Sequence, residues 1–506
     1  MPFRGRPSTA CGRCRQRRLN CNHAMPCCSS CIRAGVRCPG YRNLLDLSFR
    51  DENALAAARA HRKVAGKKQQ LTKRSAPQPG VRQNTKVVVT AVPPCIPYSV
   101  KETARCYLVS NYMQSSSQRN GELSYLLPLV ETGHRHSAID AALNAVAMAA
   151  WANIRLSPKA MLKAQSEYTI ALAETNKALR STEGCKKDET LALVVLLSIY
   201  EVIVCSDDAF MDRWMAHLEG ATLLIELRGP DQLTKRDGLS LFRHLRAQIS
   251  LSRIFQEKPN PPILAQLTEQ AAAYRDPDYQ VFDRLASAVM QLADLCADAK
   301  MNQAHGHKSI ISLAMRLDSE LVLVLLDTPK RWRYNSLKVP LQDGRPIMTG
   351  FWGRDYHEYE SLEAAKMWNN YRCARIVIQE LIIDTVEGRG SSADAQYSSV
   401  ANQCRHTMKQ LIEDICASVP FYFGLHSSSN DAENGDGGLT EGTGSIGLAL
   451  MWPLLVAANS GIASKEHQEW IAVCLDKIGH IMGHNQAFSM AKLLRERKTT
   501  RSLLAS

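Results

Sequence analysis

Between residues 11 and 38, six cysteines stand at a spacing suited to soft-metal chemistry. Cys11 and Cys14 are separated by two residues, six more lead to Cys21, six again to Cys28, two to Cys31 and six to Cys38. Each close pair can set two sulfurs on one metal from a tight turn, and thiolates select zinc over hard cations. Two separate tetrahedral sites would need eight sulfurs, so six suffice only if two of them bridge. A compact cluster of two zinc ions meets that requirement. The competing chemistries are disulfides, an iron–sulfur cluster, or a metal that merely staples a protein-binding module. The N-terminus MPFRGRPSTACGRC is basic and polar, unlike a secretory leader, so neither secretion nor disulfides are expected. The six-residue gaps also differ from the short ferredoxin runs. Cys27, beside Cys28, would change the gaps to five and three if it served instead, and is read as a non-ligand.

Ligand order and spacing over residues 11–42 resemble those of the fungal binuclear zinc-cluster transcription factors. The likeness extends to the run Arg15-Gln16-Arg17-Arg18 after the second cysteine, to Pro26 two residues before the fourth, and to the closing Cys38-Pro39-Gly40-Tyr41. It implies that Cys11 and Cys28 are the bridging pair. Asn20 stands where the family usually has Lys or Arg, which bears on base preference or phosphate contact. Asn22 stands where it usually has Asp, and is expected to loosen the turn. The resemblance also implies a short helix after Cys14 that enters the major groove of double-stranded DNA at CGG-like sites. An arginine fork can bond both O6 and N7 of guanine, which makes Arg18 the expected base contact, with Arg15 and Arg17 on phosphates.

The charge distribution points to the same kind of partner. Residues 1–90 hold nineteen Lys/Arg against three Asp/Glu, a net +16, whereas the whole chain is +13 and the remainder therefore −3. Six thiolates and two zinc ions change the segment by only about −2. So local an excess suits a polyanion. Arg62-Lys63, Lys67-Lys68 and Lys73-Arg74 would add phosphate contacts or a nuclear import signal. A coiled-coil register from Leu44 puts Asp51, His61 and Lys68 into the seam, so a homodimer, if one forms, does not use this segment.

Around these residues the chain divides into a cluster module at 8–42, a basic segment and Pro-containing linker at 43–97, and an all-α regulatory domain at 98–506. Linker character comes from Pro77, Pro79, Pro93, Pro94 and Pro97. The helical reading rests on apolar residues at helical spacing over 139–154, 190–204, 214–229, 311–326, 371–386 and 468–482. The Gly/Ser/acidic stretch 427–445 reads as a flexible loop. No internal repeat of fixed period is found. The longest apolar run, Leu191 to Cys205, includes Ser198 and Glu201 and falls short of the roughly twenty residues a membrane span needs. It reads as a buried core helix. The nine cysteines outside the cluster read as small apolar residues.

HLEGATLLIELRG (217–229), ALMWPLLVAA (449–458) and FRDEN (49–53) resemble stretches of the fungal-specific transcription factor domain. Core packing also accounts for them, with Leu218, Ala221, Leu224 and Leu227 near one helical face and Pro453 kinking or starting a helix. Signals for enzyme chemistry are weak. Gly442, Gly444 and Gly447 satisfy G-x-G-x-x-G but follow no strand, and His134/His136 and His305/His307 lack further ligands. No catalytic residue or organic cofactor is expected. The resemblance implies a nuclear, non-enzymatic regulator, an activator of metabolic or secondary-metabolite genes acting with the transcription machinery or co-regulators. The alternative is a zinc-stapled interaction cofactor without specific DNA recognition.

Overall fold

Ser99, Ser157, Ser361 and Ser464 each stand one residue before a helix, and each side chain accepts a hydrogen bond from a first-turn N–H. Such caps satisfy donors that a helix start leaves open. In this computed structural model the described residues are 10–22, 24, 27–36, 38–39, 99–113, 123–128, 137–207, 209–274, 277–301, 307–339, 341–342, 345–346, 351–388, 395–424 and 443–496. The chain divides at Pro94/Cys95 into two units. The basic segment and linker at 43–97, with its heptads, basic pairs and the FRDEN stretch, lies outside the described residues. So do His134, His136 and His305, and most of the 427–445 loop. Only 443–445 of that loop is described, and it opens a helix.

Among its described residues the first unit has two short helices, α1 (Gly12–Gln16) and α2 (Ser29–Arg33). The second is built of α3 (Val100–Leu108), α4 (Ser137–Arg155), α5 (Pro158–Leu179), α6 (Asp188–Val204), α7 (Phe210–Arg228), α8 (Arg236–Gln256), α9 (Pro262–Ala271) and α10 (Gln280–Met301). It continues with α11 (His307–Leu326), α12 (Leu362–Glu387), α13 (Ala395–Tyr422), α14 (Thr443–Asn459), α15 (Lys465–Met482) and α16 (Asn485–Arg495). All six stretches with helical spacing fall in or across these helices. Ala-rich α4 lets α3, α5 and α6 approach closely, while α12 runs against α11 and α13. Helix α6 is a core helix as expected, with Leu191 and Ile203 fully buried. Among the described residues no helix is long and apolar enough to cross a membrane.

The 217–229 stretch departs from the expected face. Leu218, Ala221 and Leu224 are buried in α7, but Leu227 is 57% exposed. The burial of this turn falls instead on Arg228, which pairs with Asp188 and donates from Nη1 to the Lys187 carbonyl at 3.2 Å. That bond ties the C-terminus of α7 to the N-terminus of α6. Five scattered cysteines (Cys185, Cys205, Cys404, Cys416, Cys474) are buried as expected, whereas Cys106 is exposed.

Among the described residues two small hairpins interrupt the helices. β1 (Tyr334–Lys338) pairs antiparallel with β4 (Asp355–Tyr359), Tyr334 opposite Tyr359, and β2 (Leu341–Gln342) pairs with β3 (Arg345–Pro346). The outer hairpin is held from α12 by Arg372, which is 1% exposed. Its Nη1 donates to the Tyr359 hydroxyl and to Asn369 Oδ1, both at 2.8 Å, and its Nη2 lies 3.2 Å from His357 Nδ1. A tertiary anchor of this kind, rather than strand propensity, stabilises the pairing.

Gly444 and Gly447 lie inside α14, and their spacing puts them on one face. A Cβ at Gly444 would overlap the Tyr112 ring, and one at Gly447 would overlap His484. Tyr112 and His484 are themselves joined, hydroxyl to Nε2, at 2.8 Å. These glycines therefore permit close approach in a core, not phosphate binding. Gly444→Ala is expected to destabilise the second unit by about 1–3 kcal/mol through overpacking. Denaturant unfolding followed by tryptophan emission measures it.

Candidate zinc cluster and nucleic-acid interface

The two halves of the cluster repeat one another at an offset of 17 residues, the separation of Cys11 and Cys28. In each half a cysteine precedes a five-residue helix that carries the second cysteine. Both helices close alike. Leu19 N donates to the Cys14 carbonyl at 2.8 Å, Val36 N to the Cys31 carbonyl at 3.2 Å, and the residues before them, Arg18 and Gly35, have φ of 54° and 62°. These are left-handed helix-ending turns. The helix thus begins before Cys14 rather than after it, because Cys11 and Cys14 must both reach inward from a single turn.

Cys11, Cys14, Cys28 and Cys31 are fully buried. Sulfur–sulfur separations are 3.7 Å for Cys11–Cys28, 3.8 Å for Cys11–Cys31 and 3.7 Å for Cys14–Cys28. A disulfide would bring the sulfurs to about 2 Å. Two sulfurs on one tetrahedral zinc, each at about 2.3 Å, are about 3.8 Å apart. Two four-cysteine groups meet metal-site spacing, each with all its sulfurs within 4.8 Å: Cys11, Cys14, Cys21 and Cys28, then Cys11, Cys28, Cys31 and Cys38. Cys11 and Cys28 belong to both, and Cys27 to neither.

Electrostatics make the same demand for a cation. Desolvation, then hydrogen bonding with Cys11 and Cys28, pushes the Cys14 thiol far up. Desolvation, then contact with Cys28 and Cys11, lifts Cys31 to about 12. Sulfurs this close cannot ionise together unless positive charge lies among them, and two zinc ions supply that charge.

The two halves are joined by bonds that spacing alone did not disclose. Arg13 Nη1 donates to the Ser30 carbonyl at 3.2 Å and lies 4.0 Å from Cys31 Sγ. A cation between the first two cysteines is the one sequence signal that could have found it. Asn22 does not loosen its turn. Its Oδ1 accepts from Ser29 N at 3.0 Å at the start of α2, an acceptor role in which an amide replaces a carboxylate. Ser30 Oγ donates to the Asn20 carbonyl at 2.7 Å.

Of the expected DNA contacts, Arg15 lies within α1, with its side chain outside the described set. Arg17 and Arg18 follow on the closing turn, both exposed. Arg18 takes a left-handed conformation that its counterpart, glycine, takes freely. Holding a non-glycine residue there costs about 1 kcal/mol.

Residues 9–48 match the fungal Zn(2)-Cys(6) binuclear cluster domain, and residues 106–324 match the fungal specific transcription factor domain. The chain is 29% identical over 148 residues to the transcription factor dbaG of Emericella nidulans, covering 29% of this chain and 34% of that one. It is 32% identical over 95 residues to an uncharacterized protein of the same organism, 19% of this chain and 20% of that one. The chain thus spans about a third or less of the length of these curated relatives. No solved structure matches.

Proposed function

From a chain that belongs to the fungal Zn(2)-Cys(6) binuclear-cluster transcription factors, with a fungal specific transcription factor domain behind the cluster, we propose a sequence-specific DNA-binding regulator of transcription acting in the nucleus. The family is one of regulators, not enzymes. Cys11, Cys14, Cys21, Cys28, Cys31 and Cys38 hold two zinc ions, with Cys11 and Cys28 bridging. Arg18 reads guanine in a CGG-like site, and Arg15 and Arg17 hold phosphates. The activator role, the metabolic or secondary-metabolite targets and the co-regulators follow from the family resemblance. A homodimer is not required by anything in the cluster.

One observation carries the reading. Arg18 sits exposed in a backbone conformation that glycine would adopt without strain. Strain kept at one exposed side chain is a mark of use. Arg18→Gly is therefore expected to leave the zinc cluster as stable or stabler, yet to cost about 1–3 kcal/mol on the preferred site and flatten discrimination at one base. Replacing Lys67, Lys68, Lys73 and Arg74 should weaken all sequences alike, with the salt slope falling by about 0.9 for each lost phosphate contact. Binding of these variants to a CGG-containing and a scrambled duplex across a salt series separates the two effects. Should the wild type bind both duplexes equally, and selection from a random pool return no consensus, the zinc-stapled interaction module replaces this reading.

A further inference from the structure

Among α8, α10, α12 and α14 of the second unit lies a cavity of about 380 Å³, separate from the cluster. Its volume is within the range of small-molecule sites. The walls are chiefly apolar and strongly aromatic, with Phe255, Tyr279, Phe282 and Trp452 all lining it. Trp452 extends a ring stack, with centroids 4.6 Å from Trp214 and 5.4 Å from Phe255. The 449–458 stretch finds its place here too. Ala449 and Pro453 both line the cavity, and because proline has no N–H, the Ala449 carbonyl one turn back receives no helical bond from it.

The charged residues of the lining do not balance. Arg246 is matched by Asp283 at 2.9 Å, both side chains being at most 10% exposed. Glu363 and Lys366, one turn apart on α12, cancel in charge. His244 adds none, since burial and the nearby Lys366 hold its pKa at about 3. Arg243 is left over. Its Nη2 donates to the Tyr274 carbonyl at 3.2 Å, while its buried Nε has no acceptor among the described residues. A guanidinium paired with no carboxylate among the described residues, beside an aromatic-walled cavity, calls for an anionic partner.

We propose that this cavity is a binding site for a planar, largely aromatic small molecule bearing one carboxylate, with its rings against Phe255, Phe282 and Trp452 and its carboxylate on Arg243. The inference concerns the second unit alone and stands independently of how the cluster reads DNA. An apolar planar body displaces water from the aromatic walls, and the carboxylate satisfies the guanidinium.

The probe is 2-naphthoate, with uncharged 2-naphthamide as its isostere, titrated by calorimetry into the zinc-loaded full chain. Wild type should bind naphthoate saturably and roughly tenfold more tightly than the amide. Arg243→Met should reduce naphthoate to the level of the amide and leave the amide unchanged, which shows that the walls are intact. Ala286→Phe, which places a ring in the cavity, should abolish both, with thermal unfolding by tryptophan emission checking that the unit remains folded. If Ala286→Phe unfolds it, competition decides: the amide should displace naphthoate from wild type. The proposal is overturned if wild type shows no saturable binding up to about 5 mM, a weak limit even for a fragment. It is equally overturned if Arg243→Met binds naphthoate as wild type does or loses the amide as well, if the amide fails to compete, or if naphthoate binding survives in a folded Ala286→Phe.

Discussion

Stripping zinc from this chain is expected to abolish the fold of residues 10–39 while leaving the second unit folded. Among its described residues the first unit has nothing else to hold it. Its buried cluster consists of Cys11, Cys14, Cys28 and Cys31, with Ala10, Cys21 and Cys38 partly buried against it. The two helices among its described residues are five residues each, far below the length at which isolated helices are stable in water. Metal binding then supplies nearly all the folding free energy, on the order of 10–16 kcal/mol for structural zinc in small modules. All seven tryptophans, from Trp151 to Trp470, lie beyond residue 94, so their emission reports the second unit alone. Metal analysis should return two zinc ions per chain. A strong chelator should release both and collapse the amide resonances of the cluster, with tryptophan emission unmoved. Cys28→Ser should lose both ions, because Cys28 belongs to both sulfur groups, whereas Cys27→Ser should keep two. A stoichiometry of one, a cluster that survives chelation, or equal losses in the two variants would each sink the binuclear assignment.

How much of this was legible depends on how far along the chain the relevant contacts reach. The sulfur groups were visible because metal geometry is written in spacings of two and six residues. Helix α15 was visible because one buried face repeats every three to four residues, and α4 and α6 because their apolar runs, buried on nearly every side, are too long for strands. What was hidden is set by partners distant in sequence. Gly444 and Gly447 mimicked a nucleotide motif, and their real constraint comes from Tyr112 and His484, which are 372 residues apart. The β1/β4 hairpin depends on Arg372 from a helix that follows it, so no strand pattern announced it. Leu227 fitted the apolar face of α7 by spacing, but the salt bridge of Arg228 with Asp188 occupies the end of that face. Within the cluster, Asn22 departed from the family by one atom type and kept the same acceptor. Arg13 went unassigned because its partner lies in the other half.

Mild acid is expected to destabilise the second unit steeply, and three histidines set the sign. His484 is fully buried, bonded through Nε2 to Tyr112, with no hydrogen bond to Nδ1 among the described residues. His357 is 3% exposed beside Arg372. His244 is partly buried, stacked on Tyr125 with centroids 4.5 Å apart. Burial lowers all three to about 3, with the positive charge of Arg372 adding to it at His357 and that of Lys366 at His244. In the unfolded chain each titrates near 6.5. Between those values the unfolded state binds protons that the folded state refuses, so this contribution to stability is complete above about pH 6.5 and lost as pH falls toward 3. Each such proton is worth about 1.4 kcal/mol per pH unit. Since His244 is the least enclosed, two to three protons give a slope of roughly 3–4 kcal/mol per pH unit once the unfolded histidines are charged. His217 and His467, also lowered by burial, act in the same direction. Keeping to pH 7–5 separates the histidines from Glu102, Asp140, Asp207 and Glu466, whose lowered carboxyls begin to matter only in stronger acid, while Asp414, 3.8 Å from His357 Nε2 and raised by burial, acts in the opposite direction. Urea unfolding by tryptophan emission at half-unit steps gives the slope without interference from zinc loss. His484→Gln removes one of the protons, so its slope should be shallower by about 1.4 kcal/mol per pH unit whatever its stability at pH 7. A flat wild-type profile, or an unchanged slope in that variant, would mean that the buried imidazoles are charged in the folded chain.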